Sequence, residues 1–289
     1  MGIKYFGFAD QNGTPARLPR QPVRIMFLTS VRDVGVWDLN GSLVQTAKTR
    51  GYMQGVVEFT DRIARTPGSL LYGLVQIAGV IYDDLPRDLS ASAYPLAPTA
   101  GRPWIYPRDL DLPLFHIPSA FRDLPMLDKD GRARAKLGFE AAVAEKMREQ
   151  GAQVLISDHY MAKIEYLFPP LLPFGLVLNI HPAVTLPGHR FCFRGPTPTA
   201  DAIARRKTEE AVMTGATLHV VNRVIDDGPI VAYSAATPVY EDDTPPDLRF
   251  RNYAVKREVF EWGLRHYLTR LYPRFLVPVS DELRLVPMD

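Results

Sequence analysis

The pattern of hydrophobic and polar positions predicts strands that alternate with amphipathic helices. Apolar runs of strand length are typical of buried strands, and apolar residues at intervals of three and four are typical of helices. The predicted strands are residues 24–29, a part of 70–82, 153–157, 176–181, 217–221 and 230–233. The predicted helices are residues 38–50, 132–150, 199–210 and 251–271, with a short one over 160–168 that ends at two prolines. This alternation favours an α/β fold with a mostly parallel sheet and helices on both faces.

The distribution of prolines divides the chain further. Residues 1–22 carry glycine, asparagine and three prolines, and they are predicted to form an irregular N-terminal arm. Eight prolines between residues 83 and 127 exclude regular central strands from that stretch, which is interpreted as a Pro-rich insertion. The expected organisation is an arm over 1–22, a main domain over 23–240, and a C-terminal helix and tail over 241–289 that pack on the same domain.

Composition excludes several classes of protein. The 289 residues are 46% apolar and 23% charged, and the net charge of +2 gives no reason to expect a nucleic-acid or membrane partner. The single cysteine, Cys192, leaves no internal disulfide and fits a reducing compartment. No apolar run is long enough to span a membrane, and the N-terminal residues lack an apolar signal core. We therefore expect a cytoplasmic protein; its oligomeric state is left open.

Two polar side chains stand at the end of the apolar run 176–181. Residues two apart on a strand point to the same side, so Asn179 and His181 project together where the strand stops at Pro182. In parallel α/β sheets, ligands bind at the carboxyl ends of the strands. An amide can donate to an oxyanion and an imidazole titrates near neutral pH, so this pair is suited to acyl transfer. His219, inside an apolar strand, is interpreted as a buried structural or supporting histidine.

A series of short motifs resembles one enzyme family. In chain order these are Asn179-Ile180-His181-Pro182, Leu186-Pro187, Arg194-Gly195-Pro196, Gly215-Ala216-Thr217-Leu218-His219-Val220-Val221 and Asp226-Asp227-Gly228-Pro229-Ile230. Their order and spacing resemble the folate-dependent formyltransferases, over about residues 150–240. The resemblance implies a Rossmann-like formyltransferase fold, 10-formyltetrahydrofolate as co-substrate, no metal, and a small-molecule formyl acceptor.

The resemblance also implies roles for individual residues. The catalytic triad would be Asn179, His181 and Asp226: Asn179 would donate to the tetrahedral oxyanion, His181 would stabilise it, and Asp226 would hold His181 and accept the amine's proton. Two segments would contact the pterin ring of the folate. Their residues are Tyr160, Met161, Ala162 and Ile164 in the first, and Asn222, Arg223, Val224, Ile225 and Gly228 in and beside the second. The first segment departs from the family's common Met-Arg-Ile-Leu sequence.

The identity of the acceptor is predicted by comparing the family's members. The glycine-rich phosphate loop of the glycinamide ribonucleotide enzyme is not evident at residues 30–37. The roughly 50 residues after Glu241 are too few for the basic domain of the methionyl-tRNA enzyme, and residues 1–22 are too short for the deformylase's regulatory domain. The insertion and the loop 189–194 resemble most the siderophore (pyoverdine-type) N5-hydroxyornithine formyltransferases.

The acceptor would need partners for a carboxylate and an ammonium group. Arg32, Asp33, Arg190 and Arg194 are candidates by their location alone. Formylation of N5-hydroxyornithine is therefore the expected reaction. Hydrolysis of formyltetrahydrofolate by a deformylase and formylation of an amino sugar remain as alternatives.

Overall fold

The structure, a computed structural model, describes residues 3–8, 19, 21–30, 56–85, 112–275 and 285–287. The strands in this part of the chain are β1 (Lys4–Phe8), β2 (Val23–Thr29), β3 (Val75–Tyr82), β4 (Leu114–His116), β5 (Val154–Ser157), β6 (Val177–His181), β7 (Val212–Val220), β8 (Ile230–Val239) and β9 (Leu285–Pro287). The helices are α1 (Val57–Arg65), α2 (Lys129–Glu149), α3 (Pro198–Arg206) and α4 (Pro245–His266). A 3₁₀ turn covers Ala120–Arg122, and α4 continues through a π-helical turn, Tyr267–Leu271, into a last α-helical turn, Tyr272–Phe275.

All nine described strands belong to one mixed sheet in the order β4-β3-β2-β5-β6-β7-β8-β1-β9. The five strands from β4 to β6 are parallel to one another. The direction reverses at β7, which is antiparallel to both β6 and β8. The predicted Rossmann-like fold, with a mostly parallel sheet, is confirmed, and β6 lies where the parallel part meets the antiparallel part.

Helices cover both faces of the sheet. This explains why the sequence of β2 is almost continuously apolar. Ile25 and Phe27 point to the face covered by α1 and α4. Met26 and Leu28 point to the opposite face, which α2 covers. All four side chains are fully buried. A strand buried on both faces has no polar alternation, as expected for the centre of a parallel sheet.

Most predicted elements are present with shifted ends. The strands predicted at 24–29, 70–82, 153–157 and 176–181 correspond to β2, β3, β5 and β6, and the predicted helix at 132–150 corresponds to α2. The last helix begins at Pro245 rather than at Arg251, because Thr244 and Asp247 form a capping box ahead of it. The helix predicted at 38–50 lies outside the described residues, as do residues 86–111 of the Pro-rich insertion.

Two expectations about irregular and helical segments were wrong. Lys4–Phe8, within the arm that was expected to be irregular, forms strand β1 and pairs with β8. The short helix predicted over 160–168 is instead an irregular segment that contains bends. The carboxylate of Glu140, on α2, accepts hydrogen bonds from the amide groups of residues 165–167, at 2.6–3.1 Å. Because a buried carboxylate from another element takes these donors, the segment does not need helical hydrogen bonds.

Candidate active site

The end of β6 places Asn179 beside a histidine of the neighbouring strand. In the antiparallel pairing of β6 with β7, Asn179 lies directly opposite His219, and residues opposite each other in such a pair project to the same face. Nδ2 of Asn179 donates to Nε2 of His219 at 3.1 Å. Nδ1 of His219 lies 3.1 Å from the carbonyl oxygen of Val220, which can only accept. These two contacts hold the His219 ring in place, and the ring in turn fixes the orientation of the Asn179 amide.

His181 and Asp226 meet at the same place from different parts of the chain. Oδ1 of Asp226 lies 3.4 Å from Nδ1 of His181 and 3.6 Å from Nε2 of His219. Oδ2 of Asp226 accepts from the amide of Gly195 at 2.9 Å. Asp226 has a φ of 53°, in the left-handed region, which aims its side chain back towards β6. The structure therefore brings together the three residues of the predicted triad and adds His219 to them.

Burial and neighbouring groups set the charges of this cluster. Burial lowers the pKa of His181 to about 4, although the charge of Asp226 opposes that shift. Burial alone would raise the pKa of Asp226, but His219, His181 and the Gly195 amide together lower it. At neutral pH, Asp226 is therefore a carboxylate and His181 is a neutral imidazole.

The hydrogen bonds of His181 also define which of its nitrogens carries the proton. Nε2 lies 3.1 Å from the carbonyl oxygen of Phe193. Because a carbonyl only accepts, Nε2 carries the proton, and the Nδ1 lone pair faces the carboxylate of Asp226. Nδ1 of His181 and Oδ1 of Asp226 are then both acceptors, so they form a hydrogen bond with each other only when a proton lies between them. The pair is arranged to receive a proton released by a reacting group.

These residues line a cavity of about 310 Å³ at the carboxyl ends of the parallel strands. Asn179, His181 and Asp226 contribute to its floor. One wall is the segment Tyr160–Ile164 together with the loop that follows β7. The other wall comes from residues near the start of α3 and from one face of α4. The cavity is open to a ligand that lies between the two walls above the polar floor.

The residues predicted to contact the pterin are mostly at this cavity. Tyr160, Met161, Ala162 and Ile164 line it, and so do Asn222, Val224 and Ile225. The segment is held from behind, since Phe139 stacks on Tyr160 with ring centroids 5.9 Å apart. Arg223 and Gly228 are not among the lining residues.

Gly228 has a structural explanation different from the one expected. A Cβ atom at this position would lie 1.7 Å from the carbonyl oxygen of Val220. That carbonyl closes β7 at the point where the loop returns to β8. The glycine is therefore required by close packing of backbone on backbone.

The four residues predicted to bind the acceptor do not converge on the cavity in the described structure. Arg32 and Asp33 lie outside the described residues. Arg190 is an exposed side chain that pairs with Glu209 at 3.4 Å and is not among the lining residues. Arg194 donates to the carbonyl of Thr185 at 2.9 Å and to Asp227 at 2.5 Å, so it braces the loop after β6.

Sequence reasoning missed the contribution of α4 to the cavity. Arg249, Asn252, Tyr253 and Lys256 all line it. Their spacing of three, four and seven residues places them on one face of the helix. This spacing of polar residues within an amphipathic helix was the signal available in the sequence.

The described residues offer neither a metal site nor a membrane span. No group of three or more histidine, cysteine or acidic side chains in the described ranges is arranged to hold a metal ion. None of the helices described has both the length and the apolar character that a membrane span requires.

Comparison with known proteins places this geometry in a family. A family model described as formyl transferase matches residues 115–260, slightly more than half of the chain. The chain belongs to the formyl transferase family. The match covers β4 to β8 and most of α4, so it contains every residue of the cluster around Asp226. No curated protein sequence matches the chain.

Solved structures of formyl transferases resemble the chain over most of its length. PvdF of pyoverdin biosynthesis, an N10-formyltetrahydrofolate-dependent formyltransferase, is 26% identical with a TM-score of 0.69, over 86% of this chain and 99% of that chain. Glycinamide ribonucleotide transformylase 1 from Symbiobacterium toebii is 22% identical with a TM-score of 0.54, over 96% of this chain and 100% of that chain. Phosphoribosylglycinamide formyltransferase from Bacillus halodurans is 19% identical with a TM-score of 0.50, over 86% and 98% respectively. The last two show the shared fold alone.

Proposed function

We propose that this formyl transferase transfers the formyl group of 10-formyltetrahydrofolate to the hydroxylamino nitrogen of N5-hydroxyornithine. The observation that carries the proposal is the convergence of Asn179, His181 and Asp226 on the floor of one cavity. The 26% identity to PvdF over nearly its whole length supports the choice of co-substrate and of a siderophore precursor as acceptor. The pterin ring would lie against Tyr160–Ile164 and the loop after β7.

The reaction begins when the acceptor nitrogen attacks the formyl carbon. A C–N bond forms, and the electron pair of the formyl C=O moves to oxygen and produces a tetrahedral oxyanion. Asn179 donates an N–H to that oxygen, because one of its amide hydrogens is held by His219 and the other points away from it. Such donors act strongly because they are oriented before the charge develops.

The proton of the attacking nitrogen has a prepared destination. It passes, directly or through a water molecule, to the space between Asp226 and Nδ1 of His181, where two acceptors face each other at 3.4 Å. The imidazolium that results is stabilised by the carboxylate and remains near the oxyanion. When the oxyanion collapses, the bond from carbon to N10 of the folate breaks, and N10 takes up the proton that the His181–Asp226 pair had received. The products are tetrahydrofolate and the formylated hydroxylamine.

The experiment that tests this proposal follows tetrahydrofolate release from 10-formyltetrahydrofolate, with and without N5-hydroxyornithine. Turnover that requires the acceptor supports the proposal, and Asn179→Ala serves as the blank. Removal of one oxyanion donor is expected to lower kcat by about 10²- to 10³-fold. Release at the same rate without any acceptor would instead identify a deformylase. Release only with amino sugars would replace the proposed acceptor.

A further inference from the structure

Three cationic side chains line the cavity in the described part of the chain, and the formyl transfer itself does not use them. Among the described residues that line it, the cations are Lys163, Arg249 and Lys256, and Asp226 is the one carboxylate. Lys163 belongs to the wall that contains Tyr160, where the folate is proposed to lie. Arg249 and Lys256 belong to the opposite wall, on α4. Lys163 pairs with the half-exposed Glu165 at 3.5 Å, whereas Lys256 pairs with a buried carboxylate behind the cavity.

Lys256 is a buried cation held in place by a buried partner. Its Nζ lies 2.6 Å from Oδ1 of Asp158, at the end of β5, and the two residues are 5% and 0% exposed. Oδ2 of Asp158 is occupied as well, because it accepts from the amide of Val56 at 2.6 Å. An ammonium group has three donors, and Asp158 accepts one of them. The remaining donors belong to a side chain that lines the cavity.

The position of Lys256 is fixed relative to the proposed reaction centre. One turn earlier on the same face of α4, Nδ2 of Asn252 donates to the carbonyl of Pro182 at 3.0 Å and to that of Gly215 at 2.7 Å. Pro182 directly follows His181. The helix is thus attached to the end of β6, and the ammonium of Lys256 is held near the cluster. Burial is the main cause of the low pKa of His181, and the charge of Lys256 adds a small further lowering.

We infer that this face of α4 is the subsite for the carboxylate of the formyl acceptor, with Lys256 as the residue that binds it. The inference rests on the proposed function, because it assigns the wall opposite the folate to an acceptor of amino-acid type. The acceptor nitrogen would then reach the formyl carbon above Asn179, while its carboxylate contacts Lys256. Arg249, seven residues earlier on the same face, would lie beside this subsite. Lys256 would determine specificity for acceptors that carry a carboxylate.

The test compares two acceptors that differ only in this group: N5-hydroxyornithine and N-hydroxyputrescine, which lacks the carboxylate. The wild-type enzyme should prefer N5-hydroxyornithine by about 10- to 100-fold in kcat/KM, the range expected for one charge-assisted hydrogen bond. Lys256→Met alone would leave the buried Asp158 charge uncompensated and could prevent folding. The double variant Asp158→Asn, Lys256→Met removes both charges, and the new amide oxygen can still accept from the Val56 N–H. In this variant the preference should fall to within about threefold of unity, mainly through a higher KM for N5-hydroxyornithine.

Two controls separate acceptor binding from general damage. Lys256→Arg keeps a cation beside Asp158 and should retain the preference. Lys163→Met removes a cation from the opposite wall and should lower kcat/KM equally for both acceptors. Equal use of both acceptors by the wild type, or a preference that survives in the double variant, would overturn the subsite and leave the proposed function standing. Failure of the wild type to formylate either acceptor would overturn both.

Discussion

Burial of His181 as a neutral imidazole should make the stability of this protein depend on pH between about 4 and 6.5. The folded-state pKa is lowered to about 4 by burial, against the opposing charge of Asp226. In the unfolded chain an imidazole titrates near 6.5. Between these two values the unfolded chain binds a proton that the folded chain does not bind. Stability is therefore lost as the pH falls through this window and levels off below it.

The size of the effect follows from the two pKa values. At pH 5.0 about 97% of the unfolded imidazole is protonated, against about 10% of the folded one. Relative to pH 7.5, this difference lowers the free energy of unfolding by about 2 kcal/mol. Asp226 does not contribute to this change in the free energy of unfolding, because its pKa is lowered and it stays ionised across the range.

The assay is urea unfolding of the wild type and of His181→Gln at pH 7.5, 6.0 and 5.0. Glutamine cannot titrate, so the difference between the two proteins isolates the contribution of His181. That difference should shift by about 2 kcal/mol between pH 7.5 and 5.0, in the direction that disfavours the wild type at low pH. A difference that stays constant within about 0.5 kcal/mol would mean that the folded pKa of His181 is close to its ordinary value, and the assignment of a neutral buried imidazole would be refuted.

Three further predictions follow from single contacts. His219→Ala should lower kcat by about 10- to 100-fold with unchanged folate affinity, because Asn179 loses its orienting partner; a change in folate affinity alone would contradict this. Gly228→Ala should destabilise the protein by about 3 kcal/mol or more, since its Cβ would meet the Val220 carbonyl. The matched control Gly138→Ala, in open space on α2, should stabilise it by about 0.5–1 kcal/mol, and equal effects of the two would refute the packing argument. Glu140→Ala should lower the free energy of unfolding by about 2–3 kcal/mol and weaken folate binding. The control Glu149→Ala, exposed on the same helix, should change stability by less than about 0.5 kcal/mol. Loss of stability with unaltered folate affinity would show that Glu140 does not support the folate-binding segment.

The strands and the main helices were predictable because each depends on a local pattern. The apolar run of β2 and the helical spacing in α2 carry their structure within their own residues. The juxtaposition of Asn179 and His181 also follows from local geometry, since two residues two apart at a strand end must share a face. The positions of these side chains in the fold agree with that geometry.

The rest depends on contacts that are distant in sequence. His219 could be assigned to Asn179 only once the antiparallel register of β6 and β7 was known. The segment 160–168 has helical propensity, but Glu140 supplies its amides with acceptors from a different element. Lys256 is separated from its partner Asp158 by 98 positions, so its place at the cavity is not visible in the local sequence of α4.

The left-handed backbone of Asp226 restricts how this position can evolve. At a φ of 53°, aspartate, asparagine and glycine are tolerated far better than other residues. Glutamate has the same charge, but it adds a methylene group in a site where the carboxylate is already held by Gly195 and faces two imidazoles. A descendant that abandoned the chemistry would therefore drift to asparagine or glycine here and still fold. In a lineage of related chains, the residue at this position would record the loss of activity while the surrounding fold remained unchanged.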